Sequence, residues 1–231
     1  MKEGRVIALI PAAGKGERMN RSLPKQFLPL EGKPILHHTL QVFVKSPSIE
    51  GIVLVVDKDM MKYVRENLLL GKEFEKIEKV VEGGKSRQES VYRGLKSIKN
   101  CEIVVIHDAV RPFLNQEILE EAIRKAREEE AVITAIPLQD TLKEVGKKGV
   151  QRTLNRENLW KAQTPQVFKY SLILEAHEKA RKEGYLGTDD ASLVERLGKR
   201  VGIVVGSPLN IKITTSLDLL LAEAILKEGK W

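Results

Sequence analysis

Residues 5–19 read RVIALIPAAGKGERM, an apolar run that stops at a loop of one proline, two alanines and two glycines. From Val6 to Ile10 no side chain is polar, which suits a strand buried on both faces of a sheet. A glycine-bearing loop after such a strand lets backbone N–H groups approach phosphate oxygens. The apolar pattern returns as GIVLVVD at 51–57, KIEKVVEGG at 76–84, EIVVIHD at 102–108 and AVITAIP at 131–137. Helical periodicities lie between these runs. PILHHTLQVFVK starts with Pro34 at a first-turn position, and in SRQESVYRGLKSI Ser86 and Glu89 have capping-box spacing while Val91, Leu95 and Ile98 share one face. The alternation predicts an α/β fold: a Rossmann-like, mostly parallel sheet flanked by helices.

The rhythm changes after Pro137. Residues 138–160, LQDTLKEVGKKGVQRTLNRENLW, are polar and alternate weakly around GKKG, which predicts a protruding β-hairpin arm. A hairpin of this length is marginal by itself, so a second subunit is expected to cover it. Regular structure is expected again in PQVFK, in the helix SLILEAHEKARKEG, in a short helix after GTDD, in the strands RVGIVVG and NIKIT, and in a closing helix SLDLLLAEAILKEG. No repeat or interdomain linker appears, so residues 1–231 are expected to form a single domain.

Composition narrows the classes. The 231 residues are 42% hydrophobic, enough for one sizeable α/β core. Lys plus Arg number 39 against 32 Asp plus Glu, a net charge of +7 that suits an anionic ligand. Nucleic acid is not expected, because aromatics are only 5% and basic residues interleave with acids, as in RKAREEE. Cys101 is the only cysteine, which excludes an intrachain disulfide and a cysteine-based zinc site. His37, His38, His107 and His177 show no metal-ligand spacing. No apolar run has transmembrane length, and MKEGRV enters the first strand without a secretory stretch, so a cytoplasmic location away from membranes is expected.

Of two well-known phosphate loops, the P-loop is excluded and the dinucleotide loop is not expected. Gly14 lacks the G-x-x-x-x-G-K-[ST] spacing of a P-loop, and Met19 occupies the third glycine position of G-x-G-x-x-G, where it would obstruct close helix–strand contact. The loop carries cations instead, Lys15 and Arg18, followed by Lys25 in LPKQF. Read alone, these are either surface charges near a tight turn or cations for a triphosphate. Asp108 ends a predicted strand, where open α/β sheets place ligand groups; it either caps the next turn or holds Mg²⁺. Arg111 either pairs with an acid or organises the same edge, and Thr188 either caps the following helix or meets a ligand.

The string IPAAGKGERMNRSLPKQFLPLEGKPILHHTLQVF resembles the nucleotide-binding opening of sugar-phosphate nucleotidyltransferases. The ordered segments EGGKSRQESV, VIHDAVRPF, QDTLK, NRENLWKAQTPQVF, GTDDASLVE and NIKIT together resemble the 2-C-methyl-D-erythritol 4-phosphate cytidylyltransferases, from about Val6 to the closing helix. The resemblance implies transfer of CMP from CTP to 2-C-methyl-D-erythritol 4-phosphate in the non-mevalonate isoprenoid pathway, giving 4-diphosphocytidyl-2-C-methyl-D-erythritol and pyrophosphate. It implies Arg18, Lys25 and Lys212 as catalytic cations. It places Pro11, Ala12, Ala13, Gly14, Lys15, Gly16, Gly83, Gly84, Lys85, Ser90 and Ala109 around the nucleotide. Asp108 becomes the Mg²⁺ ligand and joins Arg111, Thr164 and Thr188 on the acceptor side. Thr141 and Arg156, on the hairpin, would reach the neighbouring active site of a homodimer. Lys85 stands where some relatives carry aspartate, which is tolerable if only its backbone meets the base. The rival readings are a ribitol-5-phosphate cytidylyltransferase, separated by its acceptor pocket, and a CTP-binding protein without turnover, which has less need of such cations.

Overall fold

The computed structural model describes residues 4–14, 23–69 and 72–229. In chain order the elements are β1 (Val6–Ala12), β2 (Pro29–Leu30), β3 (Lys33–Pro34), α1 (Ile35–Lys45), β4 (Gly51–Val56), α2 (Met61–Tyr63), β5 (Ile77–Glu82), α3 (Arg87–Ser97), β6 (Ile103–Ile106), α4 (Gln116–Glu129), β7 (Ala131–Pro137), β8 (Lys143–Gly146), β9 (Gly149–Thr153), β10 (Trp160–Lys169), α5 (Tyr170–Lys182), α6 (Ala191–Arg196), β11 (Gly202–Val205) and α7 (Ser216–Glu228).

Seven strands form one sheet in the order β11-β7-β10-β6-β1-β4-β5. β1 is parallel to β4 and β6, β4 to β5, and β11 to β7. Only β10 is reversed, antiparallel to β6 and β7, because no crossover helix separates it from β7. Alternate residues of β1 explain its unbroken apolarity. Ala8 and Ile10 enter a core with Leu36, Leu40, Phe43 and Leu119, while Ile7 and Leu9 enter the opposite core with Val91, Leu95 and Ile173. A third cluster, including Leu30, Phe113, Ile213 and Ile225, fixes α7 against the corner around β2. Gly94 lets α3 lie on the sheet: a Cβ there would stand 2.4 Å from Leu9 Cδ1 and 2.9 Å from Val55 Cγ2.

Several local expectations change. Pro34 precedes α1 instead of opening it, because its ψ of 144° is extended and the helix starts at Ile35. The capping box at Ser86 is half made. Ser86 Oγ accepts the Glu89 N–H at 3.0 Å, but the Glu89 carboxylate accepts from Lys85 N at 2.9 Å. NIKIT is not a strand; its backbone finds loop partners, with Ile213 N donating to Val110 O at 3.0 Å and Asn210 O accepting from Arg111 Nη1 at 2.7 Å. β10 starts at Trp160, earlier than PQVFK suggests, and pairs with β7 through Ala162 before its register shifts ahead of Gln166.

The expected hairpin is present as β8 and β9, with Val145 opposite Val150. These two valines are 67% and 62% exposed, so the hairpin does not pack on the core of its own chain. Among the described residues, no helix is long and apolar enough to cross a membrane.

Candidate active site

Parallel β1, β4 and β6 deliver their C-terminal ends to one edge of the sheet, where loops diverge around two cavities. The larger, of about 790 Å³, is lined by Pro11, Ala12, Ala13 and Gly14 after β1 and by Lys25, Gln26 and Asp57. Gly84, Lys85, Ser86, Arg87 and Ser90 close it from the start of α3, and Asp108, Ala109, Val110, Lys212 and Thr214 complete it. The smaller, of about 290 Å³, is lined by Arg87, Asp108, Arg111, Ala162, Gln163, Thr164, Gln166, Thr188, Asp189 and Lys212. Arg87, Asp108 and Lys212 belong to both walls.

The larger cavity is shaped by backbone fixed from behind. Gln26, 2% exposed, donates through Nε2 to Ala12 O at 2.6 Å and Gly14 O at 3.0 Å. Gly83 donates to Val56 O at 2.8 Å and lies against the opposite loop, since a Cβ on it would be 2.2 Å from Ala13 Cβ. The Ser90 hydroxyl donates to Ser86 O at 2.8 Å and accepts from Gly84 N at 3.0 Å, which holds the glycine turn. Gly83 flanks the lining without joining it. Lys15, Gly16 and Arg18 lie outside the described residues.

At the shared wall one carboxylate meets three cations. Asp108 Oδ1 is 3.3 Å from Arg87 Nε, and Oδ2 is 2.9 Å from Lys212 Nζ and 3.4 Å from Arg111 Nε. Burial by itself would raise the Asp108 pKa, but Arg87, Lys212 and Arg111 outweigh it and hold the carboxyl well below the usual range. Arg87 also places Nη1 2.8 Å from Oδ2 of Asp190, a residue only 1% exposed whose Oδ1 is 3.2 Å from His177 Nε2. Burial works against the Arg87 charge, yet Asp190 and Asp108 raise its pKa above the ordinary value.

A chain of hydrogen bonds with one consistent polarity backs the smaller cavity. His107 Nε2 is 2.9 Å from Arg111 O, and a carbonyl only accepts, so Nε2 carries the hydrogen. Burial pulls the His107 pKa down to about 4, which leaves Nδ1 as an acceptor at neutral pH. The Thr164 hydroxyl therefore donates to Nδ1 at 3.1 Å while it accepts from Asp108 N at 3.0 Å. Gln166 ties β10 to the GTDD loop, accepting from Ala191 N at 3.0 Å and donating to Asp189 Oδ2 at 2.6 Å. The start of α6 is capped by Asp189, whose Oδ1 accepts from Ser192 N at 3.0 Å, so the capping role open to Thr188 belongs to its neighbour. Thr141 and Arg156 line neither cavity; both are exposed, and Arg156 Nη1 donates to Gln139 O.

Sequence reasoning missed Gln26, Arg87, His107, Gln166 and Asp190. Only Arg87 left a readable signal: a cation at the first position of a helix opposes the macrodipole and so calls for a reason. Among the described residues no group of three or more His, Cys, Asp or Glu could enclose a metal. Mg²⁺ is usually held by one or two carboxylates completed by phosphate and water oxygens. Among the described residues Asp108 is the carboxylate common to the two linings and the one that would take this place, with Mg²⁺ displacing a cation from one of its oxygens, both of which face cations here.

A family model described as 2-C-methyl-D-erythritol 4-phosphate cytidylyltransferase matches residues 6–228. A protein of that name from Geotalea uraniireducens is 50% identical over 226 residues, covering 96% of this chain and 97% of the relative. Another from Geobacter metallireducens is 48% identical over 227 residues, covering 96% and 98%. The crystal structure of 4-diphosphocytidyl-2C-methyl-D-erythritol synthase from Anaerococcus prevotii has a TM-score of 0.83 at 33% identity, covering 97% of this chain and 96% of that one. The 2-C-methyl-D-erythritol 4-phosphate cytidylyltransferase of Thermus thermophilus has a TM-score of 0.79 at 32% identity, covering 95% and 98%.

Proposed function

The chain belongs to the 2-C-methyl-D-erythritol 4-phosphate cytidylyltransferase family, and from that premise we propose how its two cavities divide the reaction. It is a nucleotidyltransferase of isoprenoid biosynthesis that transfers CMP from CTP to 2-C-methyl-D-erythritol 4-phosphate. The observation that carries the division is the wall of Arg87, Asp108 and Lys212 common to both cavities. CTP occupies the larger cavity and the acceptor the smaller, so that their phosphates meet at this wall.

The acceptor phosphate oxygen is already ionised at neutral pH. It attacks the α-phosphorus of CTP, the new P–O bond forms as the bond to pyrophosphate breaks, and no general base is required. The obstacle is repulsion between anions, and cations held in place reduce it. Lys25 and Arg18 stabilise the charge gathering on the triphosphate and on the departing pyrophosphate, while Lys212 steadies the acceptor phosphate. Asp108 would hold Mg²⁺, which would supply Lewis-acid neutralisation of the triphosphate. Backbone groups of Pro11, Ala12, Ala13, Gly14, Lys15 and Gly16 receive the nucleotide, with Gly83, Gly84, Lys85 and Ser90 at the base and Ala109 at the ribose. The Ser90 hydroxyl, bonded to Gly84 N and Ser86 O, supports base recognition through the backbone it fixes, which also makes lysine acceptable at position 85.

Arg111, Thr164 and Thr188 receive the acceptor. Thr141 and Arg156 contribute from the arm, residues 138–160, of a second copy in a homodimer; their exposure away from both cavities of their own chain supports this assignment. The whole chain, 1–231, works as a single nucleotidyltransferase domain in the cytoplasm.

The test is pyrophosphate release with Mg²⁺. CTP with methylerythritol phosphate is expected to be active, with UTP and ATP as donor controls and ribitol 5-phosphate as acceptor control. Activity with ribitol 5-phosphate alone would overturn the acceptor assignment, and tight CTP binding without release from any pair would overturn the catalytic one.

A further inference from the structure

Arg87 is an awkward residue for its place. It opens α3, where the helix dipole disfavours positive charge, and its side chain is only 33% exposed. Two buried carboxylates offset this: Asp108 takes Nε at 3.3 Å, and Asp190, anchored by His177 Nε2 at 3.2 Å, takes Nη1 at 2.8 Å. The Nη2 amino group makes no hydrogen bond to the described residues. Arg87 nevertheless lines both cavities, which neutralising Asp190 in the interior does not require.

We propose that Arg87 is a further catalytic residue, whose guanidinium contacts the phosphate passing between the two substrates while Asp190 clamps it at the shared wall. The role rests on the cytidylyltransferase reading. The planar fork suits the task because Nε and Nη1 face protein carboxylates while Nη2 is left for phosphate oxygens. Lys212 approaches Asp108 from the opposite oxygen, so the carboxylate holds two cations apart and keeps both at the junction.

The experiment compares Arg87→Met, the double variant Arg87→Met with Asp190→Asn, and Arg87→Lys, reading kcat, KM for each substrate, the Kd for CTP and Tm. Arg87→Met alone leaves the Asp190 charge buried without its cation, and its Tm is expected to fall. The double variant removes both charges, and its Tm is expected to return close to that of the wild type. Its kcat is expected to stay about 100-fold or more below wild type, the typical cost of removing one donor aimed at developing charge. Arg87→Lys keeps the charge without the fork and is expected to fall between the two. Recovery of kcat together with Tm in the double variant would show that Arg87 only neutralises Asp190 and would overturn the proposal. Silence of the wild type with every substrate pair, despite CTP binding, would instead overturn the reading beneath it.

Discussion

Thr164→Val is the sharpest probe of the hydrogen-bonded chain behind the acceptor cavity. The substitution keeps the side-chain shape and removes one oxygen, which strands Asp108 N–H and His107 Nδ1 together. Both residues are buried, at 7% and 0% exposure, so water does not replace the lost partner. His107 cannot recover by changing tautomer, because that would orphan the Arg111 carbonyl. An orphaned buried polar group costs about 1–3 kcal/mol, so the pair amounts to about 2–6 kcal/mol. For a chain of this size each kcal/mol lowers Tm by about 2–4 °C, which gives a fall of about 4–24 °C. Thr164→Ser retains the hydroxyl and loses one methyl group, about 0.8 kcal/mol. Calorimetric melting of both variants, with pyrophosphate release measured beside it, checks the argument. If the valine variant melted within about 2 °C of the serine variant, a margin below the shift of 1 kcal/mol, the polarity deduced for this chain would be wrong.

Gly83→Ala places a methyl group against Ala13 and is expected to weaken CTP binding about tenfold or more, a loss of ~1.4 kcal/mol; an unchanged Kd by titration calorimetry would remove that contact from the nucleotide site. Arg156→Ala is expected to raise the acceptor KM and leave the KM for CTP nearly intact, whereas equal loss of both would point to the arm's role in assembly. Acid should separate the wild type from the Arg87→Met/Asp190→Asn double variant. Burial alone would raise the Asp190 pKa, but Arg87 and His177 pull it below 3.8. The stability it contributes is therefore fully present above pH 3.8 and is lost as pH falls through the lower folded-state value. The difference in urea midpoint between the two proteins should stay level from about pH 7 to pH 4 and change only below that; a change between pH 7 and 5 would contradict this assignment.

Much of the sheet could be read in the chain because β1, β4, β6 and β7 are buried on both faces and so carry almost no polar side chains. β10 hid its first half in WKAQT. Those residues reach past the core toward the cavity, and their backbone pairing with β7 leaves no apolar trace. NIKIT misled in the other direction: alternating Ile211 and Ile213 look like a strand, but Ile213 fills the cluster beneath α7 while the backbone bonds to the loop after β6. The cavity edge was legible where glycine and small residues admit a ligand, at Ala12 to Gly14 and at Gly84. The Arg87–Asp190 pair was not, since 103 positions separate its members and only the fold sets the start of α3 beside the loop before α6, where Gln88 donates to Tyr185 O and accepts from Gly187 N.

The shared wall also sets what an inhibitor of this protein can be. Counting side chains alone, without Mg²⁺, Arg87, Arg111 and Lys212 face Asp108 and Asp190, three positive charges against two negative, so the place where the two cavities join carries surplus positive charge. A compound spanning both cavities must thread this point. A neutral linker would desolvate the surplus charge without compensating it, and a cationic one would add to it. An anionic centre in the linker offsets this charge, whereas a compound confined to the larger cavity still meets Arg87, Asp108 and Lys212 and gives up contacts with Thr164 and Thr188.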